Sequence, residues 1–416
     1  MIQLLGIIGR KVKLLSRCTV PPLVFYLLTA NDGIKGTRSE SPDWLLVLIS
    51  LVELTLPLVY NPGGTMLDSA VCALLAVVLG FCMLFYVQDR HAAPNGKKVK
   101  PFYDILTRWN EKSPRNRSRG ETNDTEKAPT LSEMRKNGCW FLLSGLSYTC
   151  LYFIVFTVLN TFIQICNEPP ATAQHIPYLY LMFTSWIPLE TSIYFFWLGT
   201  TMSFIIASST LIHLLINATI LNILLWLPGV SNGIRTRFHD DLGHFIQQPP
   251  LFDKPWLSRN LTELWSKRWQ QAFRPGFVRL GYTPGRRLFA GKKNKSLGVL
   301  CGVFGAFLCS GLLHDYIMLA AVGGIRRFRP QDVIVGSQTM FFILQTVGSA
   351  VCTVFPFRLP TWLSRTLCVL WIFYTGPLFV EPYVRSKLYL FAVVPGNTHV
   401  LDSLIGPICP YGTRSY

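Results

Sequence analysis

Eight long apolar runs recur along this chain, and they leave it few ways to fold: Trp44 to Tyr60, Met66 to Val87, Trp140 to Cys166, Tyr178 to Leu198, Met202 to Leu227, Leu297 to Val322, Met340 to Phe355 and Leu367 to Val380. A helix needs roughly 20 apolar residues to cross the hydrocarbon of a bilayer, and several runs reach that length. In hydrocarbon every backbone amide must find its partner inside the protein, which permits helices or closed barrels. The runs lack the strict alternation of barrel strands, so helices are expected. With 50% hydrophobic and only 15% charged residues, a soluble globule is excluded. The expectation is an all-α, polytopic integral membrane protein with about eight transmembrane helices, forming one membrane-embedded domain over residues 1–416.

The formal charge of +17 is carried outside the runs. Lysine and arginine outnumber acids twelve to seven over 88–139 and thirteen to four over 229–296. No groove-reading or stacking motif accompanies the excess, so nucleic acid is not an expected partner. Positive-inside bias explains basic loops in a membrane protein, and attraction to anionic lipid or an anionic cosubstrate adds to it. Here the bias raises a conflict. If the first two runs form a hairpin through Asn61 to Gly64, the 88–139 loop is cytosolic. Three full spans then follow, which puts the 229–296 loop on the opposite side. Either one of the three is re-entrant or interfacial, or the bias fails for one loop.

Eleven cysteines lie mostly within the apolar runs with no C-x-x-C pair, and they read as small core residues. The N-terminal MIQLLGIIGRKVKLLSR reads as a basic amphipathic interfacial helix or an uncleaved anchor. A break at Gly199 is expected to divide the apolar stretch from Tyr178 to Leu227 into two helices. Triplets of the N-glycosylation type occur at Asn116, Asn123, Asn260 and Asn294, a common pattern that carries little weight.

Within the run Leu297 to Val322 the titratable polar side chains are consecutive: His314, Asp315 and Tyr316. An ionisable group inside a span is costly and points to function. Imidazole, with its pKa nearest neutrality, suits reversible proton transfer. A core histidine donating to a neighbouring helix is the plainer alternative. His213, in the run Met202 to Leu227, is the rival intramembrane histidine.

Upstream of His314 come Pro250-Leu251-Phe252 and then NLTELWSKRWQQAFRPGF, Asn260 to Phe277. Trp265 and Trp269 are four apart and share a face on a helix, with Lys267, Arg268 and Arg274 as cationic donors beside them. Alone, such a segment also fits an interfacial anchor.

The P-L-F triplet, the core Trp265-Ser266-Lys267-Arg268-Trp269-Gln270 and the span carrying Ser310-Gly311-Leu312-Leu313-His314 together resemble the wax synthase branch of the membrane-bound O-acyltransferases, of the fungal natural-product O-acetyltransferase type. The motif resemblance covers roughly residues 250 to 320. It departs from the family's pattern at Ser266 and Lys267, where glycine and arginine are usual, and at Gln270, where asparagine or histidine is usual. Glutamine keeps an amide at that position, or the polar role shifts to Gln271; a histidine acting there is excluded. Glu263 stands where the family often has an acid.

The resemblance implies acyl transfer from a coenzyme A thioester to an alcohol, with no bound cofactor and with acetyl-CoA or another acyl-CoA as cosubstrate. His314 would be the general base and Gln270 the amide that meets the developing oxyanion or orients the substrate. Trp265, Lys267, Arg268, Trp269, Arg274 and Asp315 would bind substrate or coenzyme A. Adjacent helical residues do not face each other, so Asp315 is not expected to pair with the His314 ring. No G-x-S-x-G elbow argues for a serine nucleophile. Two acceptors fit the resemblance: a terpenoid or meroterpenoid hydroxyl acetylated in secondary metabolism, which is preferred, or a long-chain alcohol in wax ester synthesis. Phe304 and Phe307, before His314, would close a short acyl pocket. The partners implied are a lipophilic alcohol, acyl-CoA and the lipid bilayer, and the location is the endoplasmic reticulum membrane, multi-pass. A transporter is the main alternative outside enzymes, although no pair of broken helices in equivalent halves supports it. The His239/His244 pair beside Asp240 and Asp241 fits no standard helical ligand spacing, so no metal is expected. Glu53, Asp68 and Glu190 read as cavity or interface groups.

Overall fold

The computed structural model describes residues 19–29, 41–59, 66–92, 131–167, 176–184, 189–231, 252–289, 295–325, 335–354 and 359–388, with scattered positions between them and at the C-terminus. The elements are helical throughout: α1 Thr19–Thr29, α2 Asp43–Val59, α3 Met66–Ala92, α4 Leu131–Ile165, α5 Tyr178–Thr184, α6 Leu189–Trp226, α7 Lys295–Ala321, α8 Ser337–Val354 and α9 Thr361–Arg385. Among the described residues, β pairing is limited to two isolated bridges. The all-α polytopic expectation holds.

Among the described residues five helices are long and apolar enough to span: Asp68–Ala92, Gly138–Ile165, Ser192–Trp226, Lys295–Ala321 and Thr361–Arg385. The number falls below eight for identifiable reasons. The chain does not break at Gly199, because α6 runs unbroken through it, and α5, at seven residues, is too short to cross. α2 stops at 17 residues, and α8 carries Gln338, Gln345, Thr346 and Ser349 as a buried polar stripe. The N-terminal segment, the Asn61–Gly64 turn, Pro250, Leu251, His239, His244, Asn116, Asn123 and Asn294 lie outside the described residues.

Two compact units divide the chain. The first holds α2, α3, α7, α8 and α9. Tyr316 donates its hydroxyl to the Leu54 carbonyl at 2.7 Å, tying α7 to α2. The run 278–287, expected as part of a loop, is a succession of short helical turns packed along the first half of α7. Gly281 faces the backbone of Gly305 and Gly305 faces Gly281, so a methyl group on either would overlap the other's carbonyl. Arg279 in this run forms a two-pronged ion pair with Asp89 at the end of α3, and its guanidinium lies 4.4 Å from the centre of the Phe85 ring.

The second unit is built on α4 and the greater part of α6. Their contacts climb one helix while descending the other: Gly138 with Asn222, Gly145 with Leu215, Tyr152 with Phe204 at 5.5 Å, Phe162 with Trp197 at 3.7 Å. The pair is therefore antiparallel over about 36 Å, more than the thickness of the hydrocarbon. It follows that the basic sequence before α4 and the basic sequence after α6 leave at the same end. The conflict over sidedness dissolves, because two spans, and not three, separate them. At the opposite end Cys166 is disulfide-bonded to Cys409, and the Asn167 side chain donates to the carbonyls of Tyr411 and Thr413, both at 3.1 Å. The reading of the cysteines as core residues fails for this pair: Cys166 closes α4 where the helix meets the C-terminal segment. Among the described unbridged cysteines, Cys139, Cys150 and Cys352 are exposed and Cys72, Cys82 and Cys368 are buried.

Candidate active site

His314 sits 19 residues into α7, about 28 Å along the helix axis from Lys295. It is 9% exposed and its Nδ1 is enclosed without a hydrogen-bond partner. Aromatic rings hold the imidazole: Phe342 of α8 stacks on it at 5.4 Å between centroids, and Phe379 of α9 meets it edge-on at 4.8 Å. Phe307, two turns before His314 on α7, stacks on Phe342 at 6.3 Å between centroids. Phe304, by contrast, is 41% exposed. Among the described residues no protein group claims Nδ1, which leaves that nitrogen to a bound molecule.

The close seat of α8 on α7 comes from Gly311 of the S-G-L-L-H motif, where a side chain would strike Thr339. Asp315 turns away from its histidine neighbour. Its carboxylate accepts the Thr339 hydroxyl and, at 3.2 Å, the Thr339 N–H, with the N–H groups of Gly336 and Gln338 alongside. It thereby meets the orphan amides at the start of α8. From that first turn Ser337 donates to the Leu378 carbonyl at 2.6 Å and Gln338 donates to the Phe379 carbonyl at 2.9 Å. One turn along α9, Glu381 pairs with Arg385 at 3.0 Å and accepts the N–H of Tyr178, the first residue of α5. Motif reading missed Ser337, Gln338, Thr339, Phe342, Phe379 and Glu381; the one sequence signal was proline, at 377 inside an apolar run and at 382 just beyond it.

The tryptophan core belongs to the second unit. It is not one amphipathic helix. Asn260 caps a short turn by accepting the Glu263 N–H at 2.7 Å, and a π-type turn follows from Leu264–Arg268. The helix then ends, with Trp269 extended and bridged to Phe252 and Gln270 left-handed at φ 41°. The two indoles still meet, edge to face at 5.8 Å, and Phe252 lies 4.7 Å from Trp269. The P-L-F triplet is thus bound to the core through its phenylalanine.

Arg268 is engaged inside this turn. Its Nε and Nη2 donate to one oxygen of Glu263 at 3.0 and 2.8 Å, and Nη1 donates to the Asp253 carbonyl at 3.1 Å. Glu263 also accepts the Arg259 N–H at 3.0 Å; that bond first, and then Arg268, hold its carboxyl below the usual range. Lys267 and Arg274 are exposed. Gln271 is buried and donates to the Trp269 carbonyl at 3.1 Å, while Gln270 is half-buried. His213 lies on α6 with its side chain outside the described residues, as is that of Glu190. Glu53 is fully buried on α2 and Asp68 opens α3. No cluster of potential metal ligands occurs among the described residues.

Residues 248–344, which run from the P-L-F triplet through His314 to the first turns of α8, match the membrane bound O-acyl transferase family. Similar curated proteins of Arabidopsis thaliana carry the names probable long-chain-alcohol O-fatty-acyltransferase 3, 7 and 11. The first is 29% identical over 152 residues, 33% of this chain and 41% of that protein. The second is 30% identical over 105 residues, 25% and 27% of the respective chains, and the third is 28% identical over 159 residues, 34% of each. The chain thus matches less than half the length of these relatives, and the matched family segment contains both the tryptophan core and the histidine span.

Proposed function

We propose that this protein is an O-acyltransferase that moves an acyl group from acyl-CoA to the hydroxyl of a lipophilic alcohol inside the membrane. The observation that carries the reading is His314: a buried imidazole, walled by aromatic rings, whose Nδ1 no protein group occupies among the described residues. A hydroxyl is a weak nucleophile near neutrality. In the proposed step the imidazole takes the alcohol proton as the oxygen attacks the thioester carbonyl. Collapse of the tetrahedral intermediate expels the thiolate, which recovers that proton, so ester and free coenzyme A leave together. For Gln270 we keep the amide-donor role implied by the resemblance, supported by a backbone held in a costly left-handed conformation. Lys267 and Arg274, exposed cations, suit the phosphates of coenzyme A; Arg268 we assign to shaping the turn.

The acyl group we assign is acetyl, supported by the crowding of Phe307, Phe342 and Phe379 around His314. The acceptor we assign, a terpenoid-type hydroxyl, rests on the sequence resemblance alone. A fatty acyl donor with a long-chain alcohol is the second reading, favoured by the names of the Arabidopsis relatives. For location we propose the endoplasmic reticulum. The basic ends of the α4–α6 pair support a cytosolic face there, and the Cys166–Cys409 bridge supports an oxidising lumen at the other end.

The test is release of free coenzyme A by membranes containing the protein, with a panel of acyl donors and alcohols. Acetyl-CoA is expected to exceed palmitoyl-CoA in kcat/KM. A preference for palmitoyl-CoA replaces the acetyl reading with the fatty one. Alcohol or ion flux without thioester cleavage overturns the enzyme reading.

A further inference from the structure

We infer that Asp315 is a positioning residue for His314, acting through the start of α8 and not as a ligand of substrate or coenzyme A. The inference rests on the reading of His314 as the base.

Three observations carry it. First, the carboxylate is 7% exposed and already occupied: it accepts the hydroxyl and N–H of Thr339, beside the N–H groups of Gly336 and Gln338. Second, the turn it caps supports both rings that hold the imidazole. Phe342 lies three residues beyond Thr339 on the same helix and stacks on His314. Ser337 and Gln338 bind the carbonyls of Leu378 and Phe379, and Phe379 meets His314 edge-on. Third, one of those carbonyls needs a partner. In α9 the Leu378 carbonyl would accept the N–H of residue 382, but Pro382 has none. The Ser337 hydroxyl replaces that donor. Asp315 thus fixes the start of α8, α8 repairs the proline break in α9, and one ring from each helix closes on His314.

The imidazole is enclosed by apolar rings, and among the described residues no protein group bonds Nδ1 to orient it. Ring packing is then what sets its direction, and a small error in the direction of a general base costs rate more than binding. The carboxylate beside the histidine in sequence therefore acts on it by way of two other helices.

The experiment compares Asp315→Ala, Asp315→Asn, Thr339→Val and His314→Ala in the full-length protein in membranes. Two readouts are taken: kcat and KM for the acyl donor, and the rate at which diethyl pyrocarbonate modifies His314, followed by mass spectrometry. Asp315→Ala is expected to lower kcat about tenfold or more with donor KM within about twofold. It should also speed modification of His314 as the rings part. Asparagine keeps an acceptor for Thr339, so Asp315→Asn should recover most of both losses, and Thr339→Val should fall between. A rise in donor KM at constant kcat would make Asp315 a donor ligand and overturn the inference, as would unchanged kcat and unchanged modification. If Asp315→Ala does not fold, Asp315→Asn and Thr339→Val decide by the same two readouts. His314→Ala separates the claims: if it retains turnover the base reading fails, while the modification rate still reports whether Asp315 positions the ring.

Discussion

The hydroxyl of Ser337 donates to the carbonyl of Leu378 at 2.6 Å, a carbonyl that Pro382 has deprived of its helical donor. Both groups are buried, so removing the hydroxyl leaves an acceptor unpaired, at a cost of about 1–3 kcal/mol. Ser337→Ala is therefore expected to lower the thermal midpoint in detergent. In a Pro382→Ala background the backbone supplies the missing N–H, and the same Ser337→Ala change should cost markedly less. Equal losses in both backgrounds would show that the two residues do not share this carbonyl.

Gln270 offers a separation of stability from activity. A left-handed conformation costs a residue with a side chain about 1–2 kcal/mol, and glycine escapes that cost. Gln270→Gly should thus hold or raise the melting temperature while lowering kcat, because the amide is gone. Gln270→Ala should lose the same turnover without the gain in stability. Wild-type turnover in a well-folded Gln270→Gly protein would remove this residue from the chemistry.

The fork between Arg268 and Glu263 predicts that lysine is a poor substitute, since one ammonium cannot span the two donor positions that reach a single carboxylate oxygen and the third that reaches Asp253. Arg268→Lys is expected to lower kcat and stability together, whereas Lys267→Ala and Arg274→Ala should chiefly raise the KM of acyl-CoA, more so at low salt. The pH response follows from the lowered Glu263 carboxyl. Its contribution is complete above the ordinary carboxylate range and is lost only as pH falls through the depressed value. A thermal-shift series should therefore show the wild type and Glu263→Gln differing by a constant amount near neutrality and converging in strong acid.

Sidedness can be read chemically. A single cysteine placed at Gly229, after α6, should react with an impermeant maleimide added outside intact microsomes, as should one placed before α4. The Cys166–Cys409 bridge should protect both thiols until reduction and should lie beyond the reagent in sealed vesicles. Labelling of the two engineered positions from opposite sides would contradict the antiparallel α4–α6 pair.

Much of this architecture was legible in the residues, and the failures share a cause. Apolar length identified the helices that cross, and the isolated polar triplet identified α7, because those properties are local. Gly199 misled because glycine within a helix costs only about 1 kcal/mol, which packing along a long partner helix overrides. Trp265 and Trp269 were correctly paired but on the wrong backbone: the helix ends between them, and Trp269 is extended and bridged to Phe252. The network of Asp315, Thr339, Ser337 and Leu378 joins three helices, and no periodicity within one segment encodes it. Cys166 and Cys409 are 243 residues apart in sequence, a pairing that spacing alone does not reveal.

The role of His314 as the base is tested most directly by the turnover of His314→Ala with the best acyl donor and alcohol, in protein shown by its melting profile to be folded. A loss of roughly 10²- to 10⁴-fold in kcat, with donor binding retained, is the predicted result. Near-normal turnover in that folded protein would contradict it and place the base elsewhere.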